Sequence, residues 1–483
     1  MMKGLSIIRK SETTDDRVFK ILILSIIGLF VIINIICQFQ NVTYKPFFIS
    51  ILVSICYLIF LYFASKCLHS DKIALIFLCL ISLIILVGWN FLYRPQPTSD
   101  YLSIWNGAHY VLDGSFFEKA SDKTNYFYFY SFQIGFTYYC SLFLKIFDSL
   151  ITLKIVEIVT LVAVNVVLYK SLRPSSSIGV AFFGSVLFTS YPFIFVCSGI
   201  INNQHIGLLL GALSVYLVFK KDNYLTYIIS AFLLVVGNVL RPSTIMIFAS
   251  VLFVLFFQGF QDRKKWIKIL AFTGVFIVGS ELINLSFIVL YLAPYGIKSS
   301  DLYFKLLLGL SGGGVTSRGT GAWYIVEDLK HFNYDYTLYR EACKNYLIDL
   351  FIGGKLDFHF IISKIIWYIS GIDNQTSYSG FVFSNNHGLW MDYLNFTGMI
   401  IYIISLLGSF FCTLKQKRIL NNTKYFLPAV VFCAYFGVYV IFEAMPRYRF
   451  EQYYFLFILS VPTIYGLINK IVLSIKRIIF STI

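Results

Sequence analysis

Charge is what this sequence has least of. Asp, Glu, Lys and Arg make up 13% of its 483 residues, against about 25% in a water-soluble chain. With 58% of positions hydrophobic, most of the surface must face lipid, and a soluble globular protein is excluded. Acid is scarcer than base: 39 Lys and Arg against 24 Asp and Glu give a net charge of +15. In a soluble chain that balance would point to nucleic acid. Here the basic residues cluster in short stretches between apolar runs, the pattern of cytoplasmic membrane loops, so no nucleic-acid partner is expected. The nine cysteines are scattered, with no C-x-x-C and no Cys/His cluster, which argues against a zinc site and a disulfide framework. No cleavable signal peptide is expected, because "SETTDDRVFK" precedes an apolar run long enough to remain as an anchor. The ten prolines are few, and the chain is rich in Phe, Tyr and Ile, which suits helices in lipid.

What is present is a series of apolar runs. A helix needs about 20 apolar residues to cross a bilayer. On that basis the runs fall near 21–38, 47–65, 73–93, 131–149, 153–169, 176–197, 203–219, 224–240, 242–259, 266–292, 395–413, 424–443 and 452–469. Only helices satisfy their own backbone in lipid, so the expected fold is an all-α polytopic membrane protein. Lys and Arg in short loops set the orientation. The N-terminal segment, Lys66 and Lys72, Lys170 and Arg173, Lys220 and Lys221, 262–268, 415–418 and Lys470 to Arg477 are placed inside. Alternation then holds if 131–149, rich in Tyr and interrupted by Gln and Gly, lies along the interface instead of crossing. About twelve spans remain, with both termini cytoplasmic.

This topology gathers the polar residues on the extracytoplasmic side: 94–130, the turn 198–205, the turn Arg241–Ser243, the long segment 293–394, and 443–452. The long segment exceeds a passive connector. It contains the glycine-dense "LSGGGVTSRGTGAW", then "YDYTLYREACKNYLIDLF" as an amphipathic helix, then "LDFHFIISKIIWYIS" as a helix along the membrane. It reads either as a plain lid or as a lid whose backbone amides hold phosphate. The glycine stretch lacks the Lys-Ser/Thr ending of a P-loop, so ATP is not indicated.

Asp100 is the first candidate for chemistry. It lies just past a span in the otherwise uncharged "QPTSDYLSIWNGAHY", where a carboxylate is costly to desolvate without a role or a partner. The alternative is a helix cap. Asp113 and Glu118, further along, read as solvated. Asn202, Asn203, Gln204 and His205 crowd a turn that needs only small polar residues, although His205 alone also fits a satisfied interface histidine. Arg241, Arg318, Arg447 and Arg449 all fall on the outer side, against the charge bias. A guanidinium fork suits phosphate oxygens. The plainer alternative is nonspecific binding of anionic headgroups.

These features together resemble the GT-C superfamily of polyprenyl-phosphate-sugar glycosyltransferases, which includes protein O-mannosyltransferases and lipid A aminoarabinose transferases. The chain looks most like its bacterial family 39-like membrane branch. The resemblance rests on an apolar span followed by "PTSDYLSIWNGAHYVLDG", with Ala108 and Gly114 in its tail, on the polar turn 198–205, and on "LRP" at 240–242. The late loop and the arginine-bearing segment before the last span add to it. It implies a GT-C-like bundle with extracytoplasmic interfacial helices, divided as 1–72 (N-terminus and extra hairpin), 73–292 (core), 293–394 (lid) and 395–483 (final helices).

The implied activity is transfer of a sugar from a polyprenyl-phosphate carrier to a hydroxyl of a cell-envelope glycan or lipid, at the extracytoplasmic face of the cell membrane. Asp100 would be the general base; Asn203, His205, Arg241, Arg318, Arg447 and Arg449 would bind substrate. Two departures stand out. Many members carry a carboxylate in the second outer turn, where this chain has Asn, Gln and His. No D-x-D occurs, so no metal and no cofactor is expected. Two other readings remain: a polysaccharide polymerase or ligase using a lipid-diphosphate glycan, and a lipid-linked sugar flippase or transporter.

Overall fold

A computed structural model gives the fold. The residues it describes are 14–40, 44–221, 223–260, 264–297, 302–310, 335–354, 356–371, 387–420, 422–442, 444 and 446–481. Among them every regular element is a helix and no strand occurs. The chain is an all-α polytopic membrane protein: among the described residues nine helices are long and apolar enough to cross a bilayer, and a bent pair, taken as one span, makes ten.

In chain order, α1 (Thr14–Gln40), α2 (Tyr44–Lys66) and α3 (Asp71–Leu92) lead to a group of short helices: α4 (Ser99–Leu112), α5 (Phe116–Ser121), α6 (Tyr126–Phe129) and α7 (Ile134–Leu144). The long α8 (Leu150–Leu172) follows. Then come α9 (Ile178–Thr189) and α10 (Pro192–Phe195), which with its following turn is the second half of the bent pair, at 55°. Next are α11 (Asn203–Lys220), α12 (Tyr224–Leu240), α13 (Ile245–Gly259) and α14 (Lys264–Val289). The long late segment holds α15 (Leu302–Leu310), α16 (Tyr336–Ile352) and α17 (Phe358–Ser370). The last three are α18 (His387–Lys415), α19 (Thr423–Ile441) and α20 (Phe450–Ser481).

The expected runs and the observed helices agree well at α11 and α12. Among the described residues the count does not reach twelve, because α12 is a shorter apolar helix and α11 is not among the helices that qualify as spans. Run 176–197 is not one straight helix: Pro192, which starts α10, cannot donate to the preceding turn, and the chain bends there. From run 131–149 the main helix is α7, whose 11 residues reach about 17 Å, too short to cross.

Polar side chains set the helix starts. Ser149 accepts from the N–H of Ile151, Ser177 from Val180, Asn202 from Gln204 and Asn223 from Thr226, each satisfying a first-turn donor that the helix leaves orphaned. The main core joins α1, α2, α3, α8–α14 and α17–α20, and is rich in Phe and Tyr. Large apolar side chains point outward along the bundle, as at Ile151, Ile155 and Val159 of α8; their i, i+4 spacing makes a lipid-facing stripe.

At one end of the bundle, Asp71, which opens α3, takes Arg173 Nε at 2.7 Å and the Tyr169 hydroxyl at 2.5 Å. The other end carries α4, α7 and the late segment. There α15 and α16 share a small core of Leu307, Leu310, Tyr339, Cys343, Leu347 and Leu350. Lys364 of α17 is fully buried, and its ammonium donates to the carbonyls of Gly309, Val440 (2.8 Å) and Phe442 (3.1 Å). One cation thus ties α15, α17 and the C-terminus of α19, where the helix dipole favours positive charge. The glycine-dense stretch 311–324 lies outside the described residues.

Candidate active site

Asp100 stands in the first turn of α4 and is exposed. Two prolines, Pro95 and Pro97, keep the preceding segment from continuing α3. Ser99, beside it, has φ +52°, a left-handed conformation that costs a non-glycine residue about 1 kcal/mol or more and gathers at functional sites. The Asp100 charge bears on Tyr126. Burial first, and then that charge, push the Tyr126 phenol well above its ordinary range, so it stays protonated. Tyr126 lies beside the side chain of Gln133 and within electrostatic reach of Tyr448.

From Gln133 a continuous polar chain runs into the bundle. Asn203 Nδ2 donates to Gln133 Oε1 at 3.0 Å, and Arg241 Nη1 donates to Asn203 Oδ1 at 3.2 Å. Arg241 Nε donates to Glu451 Oε1 at 3.2 Å and to Ser243 Oγ at 3.0 Å, and that hydroxyl donates to the same Glu451 oxygen at 3.0 Å. Two guanidinium groups lie near one ring: Arg241 at 5.7 Å and Arg447 at 5.6 Å from the Tyr448 centroid. The Arg447 carbonyl accepts from Gln204 Nε2 at 3.0 Å. A glycine permits this crowding, since a Cβ on Gly207 would come within 2.6 Å of Arg241 Cβ.

His205 and Glu157 form the adjoining buried pair. Glu157 Oε2 meets His205 Nδ1, and its Oε1 accepts the Asn202 N–H at 3.1 Å. A carboxylate at the start of α11 is favoured by the helix dipole. Two buried atoms in this cluster, His205 Nε2 and Glu451 Oε2, have no hydrogen-bond partner among the described residues. Orphaned buried polar atoms are rare enough to call for a role or a bound molecule.

The structure therefore joins Asp100, Asn203, His205, Arg241 and Arg447 in one region. It does not bring Arg449 there. That side chain is 1% exposed, donates to the carbonyls of Ile369 and Gly371 (2.5 Å) at the end of α17, and faces the rings of Tyr402 and Tyr453. The outward, phosphate-facing placement expected for Arg449 is thus replaced by an internal one: the arginine caps a helix C-terminus. Arg318 lies outside the described residues. Asp113 is exposed and closes a local turn, accepting from the N–H (2.9 Å) and hydroxyl (2.6 Å) of Ser115. Those bonds hold its carboxyl below the usual range.

Sequence reasoning misses Glu157, Glu451, Gln133, Tyr126 and Tyr448. The available signal for Glu157 is a single acid inside the run "LITLKIVEIVTLVAV", since an ionisable residue within a span marks a site by default. Among the described residues no three His, Cys, Asp or Glu side chains group as a metal ion would need.

No family model matches the chain, and no curated protein matches it. Among solved structures it is similar to the archaeal oligosaccharyltransferase AglB from Archaeoglobus fulgidus, in complex with an inhibitory peptide and a dolichol-phosphate. The TM-score is 0.45 at 13% identity, over 85% of this chain and 51% of that one. The chain spans about half the length of that protein.

Proposed function

We propose that this protein is a membrane glycosyltransferase of GT-C type. It moves a sugar from a polyprenyl-phosphate carrier to a hydroxyl of a cell-envelope acceptor at the extracytoplasmic face, with Asp100 as general base. The observation that carries the reading is the polar chain from exposed Asp100 through Tyr126, Gln133 and Asn203 to Arg241, with Arg447 beside it.

In the reaction the acceptor oxygen bonds to the anomeric carbon while the bond from that carbon to the phosphate oxygen breaks. The acceptor proton passes to Asp100, and the electron pair leaves on the phosphate. A single displacement inverts the anomeric centre. Phosphate leaves without being protonated, so one carboxylate suffices where a glycosidase needs two. Proton removal contributes about 10²–10⁴-fold. The protonated Tyr126 phenol offers a hydrogen-bond donor beside the base. Arg241 is offset by Glu451, so its part is to aim Asn203 at the sugar. Arg447 and Arg318 are the cations for the developing phosphate charge, and the free nitrogen of His205 is left for a sugar hydroxyl.

The donor decides between this reading and its rival. The purified protein, given a polyprenyl-monophosphate sugar and a lipid-diphosphate glycan in separate assays, is expected to consume the first. Use of the diphosphate glycan alone would make it a polymerase or ligase.

A further inference from the structure

A second cationic place lies on the other side of the Asp100 loop. Lys154, one turn into α8, is 9% exposed and makes no hydrogen bond or ion pair among the described residues. Its neighbours on the helix show why that is unusual. Ile151 and Ile155 face outward at 64% and 55% exposure, whereas Lys154 turns inward with Glu157. A buried ammonium without a partner costs several kcal/mol, so the position calls for an anion.

The surroundings fit one. Lys154 lines a recess of about 10 Å³ with Pro95, Gln96, Thr98 and Tyr101, room for about one water-sized atom. Thr98 is the N-cap of α4 but gives no side-chain cap, so the first turn of a 14-residue helix opens beside it with donors that have no intrahelical acceptor. Arg94, exposed and 4.8 Å from the Phe91 ring, lies within electrostatic reach of Lys154. Two cations that repel each other thus stand within electrostatic reach near the start of α4.

We infer that Lys154, Arg94 and the N-terminus of α4 form a phosphate-binding site, with one phosphoryl oxygen in the recess against Lys154 and the rest of the group outside against Arg94. The identification of the phosphate's carrier as a polyprenyl lipid rests on the function proposed above; the site itself does not. That function requires a phosphate near Asp100, because the anomeric carbon is one bond from the phosphate oxygen; Lys154 and Arg94 then hold the bound phosphate, and Arg447 and Arg318 meet the charge that develops on it as that bond breaks.

The test is binding without sugar. Full-length protein in phosphatidylcholine nanodiscs is titrated with polyprenyl monophosphate, with phosphatidylglycerol and with inorganic phosphate. Losing one charge-assisted hydrogen bond weakens binding by about tenfold or more. Lys154→Met is therefore expected to raise the Kd for polyprenyl monophosphate at least about tenfold, and Lys154→Arg to keep most of the affinity. Arg94→Gln changes an exposed residue, so its effect on binding is read without concern for folding; it is expected to weaken the lipid phosphate by a smaller factor. The same dependence on Lys154 with phosphatidylglycerol or inorganic phosphate would uphold the phosphate site and name a different source. Equal binding of every phosphate form by the wild type, Lys154→Met and Arg94→Gln would overturn it. Sugar transfer plays no part in this readout, so a failure here leaves the assignment of Asp100 standing, and a failure of that assignment leaves this result standing.

Discussion

Glu157 and His205 show how much one buried pair decides. Removing one partner of a buried pair leaves an uncompensated group and costs about 3–5 kcal/mol, while replacing both by apolar groups is often near neutral. Glu157→Leu and His205→Leu are each expected to lower the melting temperature in detergent, and the double variant to recover most of the loss. A double variant as unstable as the sum of the singles would show that the two do not act as a pair. Tyr126 makes a second prediction at this scale. Its phenol is held well above the ordinary value by burial and by Asp100, so no ionisation of this group should enter the pH–rate profile below about pH 10. Tyr126→Phe should slow transfer while leaving the profile's shape unchanged; an alkaline limb below that pH, abolished by Tyr126→Phe, would contradict the assignment. Residues in polar loops are legible in sequence: Asp100, Asn203, His205 and Arg241 announce themselves by standing against an apolar background. Glu157 stands as a lone acid in an apolar run and Glu451 in the polar segment 443–452, but the partner of each becomes readable only from the turn packed against it. Arg449 misleads for the same reason, since nothing in "MPRYRF" tells which arginine turns inward.

Among elements, the apolar runs place α8, α11, α12 and α19 to within a few residues, because burial in lipid leaves hydrophobicity as the dominant signal. The bend between α9 and α10 is marked by Pro192, but a hydrophobic count passes over it. The late segment is readable as helices from the apolar spacing of "YDYTLYREACKNYLIDLF" and "LDFHFIISKIIWYIS", and the structure adds that aspartates cap them: Asp335 accepts from Thr337 N and Asp357 from Phe360 N. How these helices attach was not readable. The anchor is Lys364, a lysine in an amphipathic pattern that satisfies three carbonyls instead of reaching solvent. Lys364→Met leaves those acceptors unpaired, at about 1–3 kcal/mol each. Faster amide exchange in 302–310 and 358–370, with the core of α8 unchanged, is the expected result. Unchanged exchange in both segments would show that the clamp does not hold them.

For the whole molecule, the distribution of polar groups matters more than the number of spans. The end of the bundle where α3 gives way to α4 collects Asp100, the Gln133–Asn203–Arg241 chain, the Glu157–His205 pair and the recess beside Lys154. The opposite end carries Arg173 on Asp71. Such one-sidedness suits an enzyme working at one membrane face; a carrier needs polar groups near the bilayer midplane. The most direct test is sugar transfer from a labelled polyprenyl-monophosphate sugar by purified wild type and Asp100→Asn at matched melting temperature. The account predicts a fall of about 10²–10⁴-fold; equal rates in the two proteins would contradict it.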